Sequence, residues 1–203
     1  MSEERGEGPV PKPTGRRPGP VSSYQAVLAA ARREFGTHGY QGTTTRGIAT
    51  AAGVDTALIH HFFLTKDGLF EAAVGQAFRC DDLPAQIDGD RALLGERLVA
   101  AFLRHWAQPD VNDCLRGVLR SVHTSTLAAD AVRDLLGEGV LAPVIRQLGV
   151  ASVERRAALV GAQLVGLATV RYVYRLEPVA SLDPQQAAVL LGEVFQRLLV
   201  GRL

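Results

Sequence analysis

The sequence predicts an all-α protein with an N-terminal helix-turn-helix domain of three helices and a larger C-terminal helical domain, about nine helices in all. Three observations lead to this fold class. Apolar residues recur at the three- to four-residue spacing of amphipathic helices from Val27 onward. Glycines, prolines and capping residues separate these runs. The chain lacks the alternating apolar and polar residues that are typical of a half-buried β-strand.

The first 20 residues differ in composition from the rest of the chain. They contain five of the ten prolines and almost no apolar residues, so this segment cannot bury enough surface to fold and is predicted to be a mobile arm. Arg16 and Arg17 lie just before the first helix, where paired arginines can enter a DNA minor groove. A tail without any DNA contact remains the alternative, above all for residues 1–14.

Helix start and stop signals divide residues 21–66, the predicted helix-turn-helix domain. Ser22 or Ser23 is suited to cap a first helix that Gly39 ends. A second helix is predicted at about Thr44 to Ala51, followed by a turn that contains Gly53. The third helix has Asp55 as its cap and ends near Phe63, and Thr65 caps a fourth helix from Lys66. Four short helices with a glycine turn between the second and third are typical of a helix-turn-helix.

The remainder, residues 67–203, is predicted to be a second, entirely helical domain. Pro109 ends a helix that carries Leu93 to Trp106, and the expected helices after it are Val111 to Thr126, Ala128 to Leu148 with a kink or break at Pro143, Val153 to Leu176 as the longest, and a last helix capped by Asp183 with Pro184 in its first turn.

Charge and cysteine content restrict the class of protein. The net charge is only +1, but residues 5–66 contain eight Lys or Arg against three acids, a basic first third that is typical of a DNA-binding segment. Cys80 and Cys114 are too few for a cysteine metal site or a disulfide framework. No apolar run reaches membrane-spanning length and no leader-like segment is present, so we expect a cytoplasmic protein without a membrane partner. We also expect no cofactor and no metal.

The third predicted helix has an outward face suited to DNA. Ile59 and Phe63 face the core, which leaves small or hydrogen-bonding side chains outside for base edges and phosphates, namely Thr56, Ala57, His60 and His61. For His61 the favoured alternative is that its ring packs inward. The two adjacent histidines are not predicted to bind a metal, because neighbouring side chains on a helix point about 100° apart.

The stretch that begins at Phe35 contains, in order, Gly39-Tyr40, Thr43-Thr44-Thr45-Arg46-Gly47-Ile48-Ala49, Ala52-Gly53-Val54, Ile59-His60-His61-Phe62-Phe63 and Lys66-Asp67-Gly68-Leu69-Phe70. In this order and spacing it resembles the TetR family of regulators. The resemblance implies that Thr44 and Thr45 meet a phosphate at the start of the second helix, that Arg46 reaches a phosphate or a base, and that Lys66 holds a backbone phosphate. His60 stands where the family usually has tyrosine; an imidazole can also donate to phosphate, but its charge depends on pH, so the exact contact stays open.

The resemblance also gives expectations for the C-terminal domain. Residues 153–176 and 183–199 correspond to the helices through which the family forms homodimers, and a dimer suits a palindromic double-stranded operator. A small-molecule effector is expected between the helices of residues 90–176, where the candidate polar groups are His105, Trp106, Arg120, His123, Arg171 and Tyr172. The implied function is a transcriptional repressor that its effector releases from DNA.

Three other functions are weighed against this one. An enzyme is disfavoured because the chain has no glycine-rich phosphate loop, nucleophile elbow, zinc-protease motif or clustered carboxylate pair. A helical adaptor that does not use its helix-turn-helix is disfavoured by the phosphate-binding set of Thr44, Arg46 and Lys66. An activator in place of a repressor remains open, because the sequence does not separate the two.

Overall fold

The computed structural model describes residues 20–80, 82–134 and 139–203, with side chains from residue 23 onward. Within these ranges the chain is helical and contains no strand, which confirms the all-α class. The predicted arm, with Arg16 and Arg17, lies outside the described residues except for its last residue. The helices are α1 (Pro20–Gly42), α2 (Thr45–Ala52), α3 (Thr56–Phe63), α4 (Lys66–Phe78), α5 (Leu83–Ile87), α6 (Leu94–Trp106), α7 (Pro109–Ser121), α8 (Thr126–Asp134), α9 (Leu141–Gln147), α10 (Val153–Ala168) and α11 (Pro184–Val200).

Helices α1 to α4, called the head below, surround a small aromatic core. Phe35 of α1 meets Phe70 of α4 edge-on, with ring centroids 5.0 Å apart. Ile48 and Ile59 fill the space between α2 and α3 and are almost fully buried. Gly39 has φ 69° and ψ 178°, which breaks the helical geometry of α1. The chain then continues to Gly42, so Gly39 kinks α1 where the sequence predicted its end.

Helices α5 to α11, called the body below, differ from the prediction at two prolines. The helix expected from Ala128 to Leu148 is interrupted at Val140, which has φ −127° and ψ −50°, and α9 begins after it at Leu141; α8 is described as far as Asp134. Pro143 therefore does not break a helix: it lies in the first turn of α9, where a backbone N–H has no intrahelical acceptor and proline is tolerated. Pro109 is the first residue of α7, so α7 starts two residues before the predicted Val111. The helix ends at Ser121.

The remaining C-terminal predictions are close to the structure. Helix α10 continues through a π-helical segment, Thr169–Tyr174, so helical backbone covers most of the predicted range 153–176. Asp183 caps α11 as predicted, because its carboxylate accepts hydrogen bonds from the backbone N–H groups of Gln185 and Gln186 at 3.0 and 3.1 Å.

The head joins the body through a close crossing of α1 and α7. Gly36 and Gly117 face each other there, and a Cβ on Gly117 would lie 2.7 Å from the Cα of Gly36. The Arg120 guanidinium donates to the carbonyl of Gly36 at the same crossing. The head core continues into the body through Cys114, which is fully buried. The two glycines have no side chain, and this allows α1 and α7 to approach closely.

Candidate nucleic-acid interface

The beginning of α2 presents polar groups suited to a phosphate. Thr44 is the cap, and its hydroxyl oxygen accepts a hydrogen bond from the backbone N–H of Gly47 at 3.0 Å. The Thr44 and Arg46 side chains are exposed, and Thr45 is half-buried. Arg46 forms no ion pair with any described residue. The first backbone N–H groups of a helix have no internal partner and carry partial positive charge, so an anion is stabilised there.

The turn between α2 and α3 follows the local chemistry that the sequence predicted. Gly53 is left-handed, with φ 66° and ψ 32°, and ends α2. The Asp55 carboxylate accepts a hydrogen bond from the Ala57 N–H at 2.7 Å, which confirms that Asp55 is the cap of α3. Val54 donates its N–H back to the carbonyl of Ala49 at 3.0 Å. These contacts hold α3 across α2.

Helix α3 presents Ala57, His60 and His61 to solvent, with Thr56 partly exposed. The expectation that His61 packs inward is wrong. Phe62 takes the inward position instead, because its ring packs edge-on against Tyr24 with the centroids 5.5 Å apart. His61 remains outside on the same helix, and its ring lies 5.5 Å from that of Phe62. All four candidates on α3 therefore lie at least partly on the surface.

Lys66 begins α4 and is tied to the corner between α1 and α2. Its ammonium group donates to the carbonyl of Thr43 at 2.9 Å and lies 4.2 Å from the centre of the Tyr40 ring. The Tyr40 hydroxyl donates in turn to the Asp67 carboxylate. Burial, followed by the hydrogen bond and charge of Asp67, raises the pKa of Tyr40 to about 12, so the hydroxyl keeps its proton at neutral pH.

This corner places Lys66 near the start of α2. An ammonium group has three protons, and the Thr43 carbonyl accepts only one of them. The sequence prediction named Lys66 but missed Tyr40 and Thr43 as its partners. The only available signal was the Tyr40 position directly after the glycine that kinks α1.

An apolar cavity of about 80 Å³ lies between the end of α4 and the body helices. His105 and Trp106, two of the six predicted pocket residues, line its wall. Tyr172 lies behind Trp106, with the two rings stacked at 4.7 Å. His105 is also bonded to the head, because its Nε2 lies 2.7 Å from the carbonyl oxygen of Ala77. The rest of the wall comes from α4 and from body helices, and includes Phe78, Cys80, Ala101, Phe102, Leu115, Leu119, Leu164 and Ala168.

The other three predicted pocket residues lie elsewhere. Arg120 is on the side of α7 that faces α1 and donates to the carbonyl of Gly36. His123 is exposed after the end of α7. Arg171 donates to the carbonyl of Val179 at 2.7 Å and so fastens the segment that follows the π-helical turn. Helical spacing alone did not show which face of each helix is turned to the cavity.

One face of α10 and α11 is apolar and has no covering element within the described residues. Leu159, Leu190 and Val194 are 39%, 67% and 49% exposed, respectively. Small residues are exposed along the same part of α10, at Ala158, Ala162 and Gly166. The opposite faces of both helices are buried in the body core, through residues that include Leu164 and Phe195.

The buried Arg156 is a residue that the sequence reasoning did not identify. Its guanidinium group donates to the carbonyls of Ala151, Leu198 and Gly201 at 2.8, 2.8 and 2.9 Å. These bonds join the start of α10 to the end of α11. The two helices are therefore held together independently of whatever covers their exposed face.

Comparison with known proteins identifies the family. A family model described as bacterial regulatory proteins, tetR family, matches residues 27–73, and one described as tetracyclin repressor-like, C-terminal domain, matches residues 93–199. The crystal structure of a TetR-family regulator from Streptomyces coelicolor is 34% identical, with a TM-score of 0.65 over 91% of this chain and 98% of that one. The chain belongs to the TetR family. Proteins of this family are regulators, not enzymes.

Other relatives agree at the level of the head or of the fold. The transcriptional repressor AcnR of Corynebacterium efficiens is 45% identical over 53 residues, which are 26% of this chain and 28% of that protein. The regulatory protein RaaS of Mycobacterium tuberculosis is 39% identical over 66 residues, 32% of this chain and 27% of RaaS. The chain therefore spans little more than a quarter of the length of each of these curated relatives. A TetR-family structure from Rhodococcus, 16% identical with a TM-score of 0.67 over 89% of this chain and all of that one, shares the fold.

Two further observations concern the described residues of this TetR protein. None of its helices is both long and apolar enough to cross a membrane. Its described histidines, cysteines and carboxylates include no group of three or more placed to hold a metal ion.

Proposed function

We propose that this TetR protein is a homodimeric repressor that binds a palindromic operator and leaves it when an apolar small molecule enters the body cavity. The observation that carries the DNA-binding part is the grouping of Thr44, Arg46 and Lys66 around the start of α2, beside the exposed face of α3. A cationic and hydrogen-bonding set at a helix N-terminus fits the phosphate backbone, and α3 fits the major groove. The name repressor given to the relative AcnR supports repression over activation.

The dimer is proposed to form through the exposed face of α10 and α11. Alanine and glycine on α10 allow two helices to approach closely, while Leu159, Leu190 and Val194 supply apolar area. A two-fold axis through this face relates the two heads, as a two-fold symmetric operator requires. Adjacent half-sites of a helix-turn-helix dimer lie about 34–36 Å apart along DNA.

Selection of binding sites from a randomised duplex pool tests the DNA-binding part. The purified protein is expected to recover a two-fold symmetric site at about 150 mM salt, because sequence readout survives the screening that weakens phosphate contacts. Arg46→Ala is expected to weaken binding to the recovered site. Arg104→Ala, which removes an exposed arginine from the body, serves as the matched control and is expected to bind normally. Recovery of no symmetric site would contradict the proposal.

The cavity supports an apolar effector. Its wall is almost entirely hydrocarbon, and the ring nitrogen of His105 is already bonded to Ala77. Its volume of about 80 Å³ is smaller than the 300–1,000 Å³ that encloses a typical ligand. An effector must therefore enlarge the cavity, and the wall includes Phe78 at the end of α4. Displacement of α4 would change the separation of the two heads.

Release from the operator tests the effector. Uncharged apolar compounds that raise the melting temperature of the free protein are expected to weaken operator binding, and the operator is expected to weaken compound binding by the same factor. Ala168→Leu extends a side chain into the cavity and is expected to abolish this response while leaving operator binding intact. Equal release of wild type and Ala168→Leu would show that the compound acts outside the cavity.

A further inference from the structure

The His60 ring on the exposed face of α3 has one nitrogen fixed by the backbone. Its Nδ1 lies 3.1 Å from the carbonyl oxygen of Leu64. A carbonyl oxygen only accepts hydrogen bonds, so Nδ1 must carry the proton. In the neutral imidazole the other nitrogen, Nε2, then has no proton and is a hydrogen-bond acceptor.

The end of α3 explains why this tautomer is held. Leu64 follows α3 with a positive φ of 61° and a ψ of −50°, and its N–H donates to the carbonyl of His60 at 3.0 Å. The last carbonyl groups of a helix receive no hydrogen bond within the helix, and polar side chains often donate to them. The His60 side chain supplies such a donor to Leu64. The two residues thus bond to each other in both directions, and the ring is oriented by the helix end.

We infer that His60 reads an exocyclic amino group in the major groove, N6 of adenine or N4 of cytosine, by accepting a hydrogen bond at Nε2. These amines are the only donors that the base edges present in the major groove. Guanine N7 and O6, thymine O4 and the phosphate oxygens are acceptors, so each would face the lone pair of Nε2. A neutral His60 is therefore excluded from the phosphate contact that an imidazole donor would make.

This inference rests on the proposed function, because it requires α3 in the major groove. Two substitutions separate the two nitrogens of the ring. His60→Asn places an amide nitrogen near the position of Nδ1 and keeps the bond to Leu64, but it leaves no acceptor at the position of Nε2. His60→Gln places an amide oxygen near the position of Nε2 and keeps the acceptor. Both changes are at an exposed position, and circular dichroism checks that each variant folds.

The experiment uses the operator recovered from the random pool. Each adenine of a half-site is replaced singly by purine, which lacks N6, and each cytosine by pyrimidin-2-one, which lacks N4. At one position, wild type and His60→Gln are expected to lose about 3- to 10-fold in affinity, the range of one hydrogen bond. His60→Asn is expected to lose less affinity at that position. Deleting the amine weakens the base pair for every variant, so comparing the losses of wild type and His60→Asn cancels that effect.

Two results would overturn the inference. A loss specific to wild type on 7-deazapurines or on methylphosphonates would show that His60 donates to guanine or adenine N7 or to a phosphate. Equal losses for wild type and His60→Asn at every amine-deleted position would show that His60 reads no amine. In both cases the recovered operator still stands, so failure of this inference is distinct from failure of the proposed function, in which no operator is recovered.

Discussion

Replacing Gly117 by alanine tests whether the crossing of α1 and α7 fixes the head on the body. The new Cβ would lie 2.7 Å from the Cα of Gly36 and 2.9 Å from the carbonyl carbon of Phe35. Carbon atoms in ordinary contact are about 3.5–4.0 Å apart, so the two helices must separate by about 1 Å. The contacted atoms belong to the main chain of α1, so no side-chain rotation relieves the overlap.

The magnitude follows from two opposing effects. Inserting a methyl group into a close-packed site costs about 1–3 kcal/mol, and contact with main-chain atoms places this site near about 3 kcal/mol. Alanine gains about 1 kcal/mol over glycine inside a helix. The net loss in the free energy of unfolding is therefore about 2 kcal/mol. At about 2–4 °C per kcal/mol for a chain of this size, the melting temperature is expected to fall by about 4–8 °C.

Thermal unfolding followed by circular dichroism measures this effect, at one fixed protein concentration because the proposed dimer would make stability depend on concentration. Gly75→Ala is the matched control: Gly75 lies exposed within α4, and a Cβ there meets no atom within 4 Å. It is expected to raise the stability by about 1 kcal/mol. A melting temperature for Gly117→Ala equal to or above that of wild type would refute the reasoning.

Three other experiments test the interface, the dimer and the core. Lys66→Ala is expected to weaken binding to all duplexes and to reduce the slope of log affinity against log salt by about 0.9, the contribution of one phosphate contact; an unchanged slope excludes that contact. Leu190→Glu puts a charge on the exposed apolar face of α11 and is expected to give monomers in sedimentation velocity, whereas the exposed Leu64→Glu in the head should remain dimeric. Burial raises the pKa of the Cys114 thiol to about 12, so at about pH 8 one thiol, Cys80, is expected to react with dithionitrobenzoate before denaturation and two after it. Two rapidly reacting thiols in the native protein would contradict the burial of Cys114.

Local chemistry made much of the head predictable. The caps at Thr44, Asp55 and Thr65 each depend on a side chain and a backbone N–H two or three residues later, so the sequence contains both partners. The turn at Gly53 is equally local, because glycine accepts a left-handed conformation at little cost. Spacing within one helix likewise showed that Ile59 faces the core.

Contacts between distant segments were not predictable in this way. Lys66 bonds to Thr43 across 23 residues, and Arg120 bonds to Gly36 across 84. Arg120 sits on a helix with apolar residues on another face, so its sequence context fits a cavity wall and a helix crossing equally well. Packing against α1 decides between them. His61 was misjudged for the same reason, since the position of Tyr24 determines that Phe62 turns inward.

Under the proposed effector mechanism, the anchoring of α1 determines how a change in the cavity would reach the surface formed by α2 and α3. The Gly36–Gly117 crossing and the Arg120 bond hold α1 on α7, so α1 resists displacement relative to the body. Helix α4 is held differently at its two ends: the His105 bond to Ala77 and the cavity lie at one, and the Lys66 bond to Thr43 at the other. Its 13 residues span about 20 Å as a rigid rod. A shift at the cavity end therefore moves Lys66 against the corner of α1 and α2, where the candidate phosphate-binding groups lie.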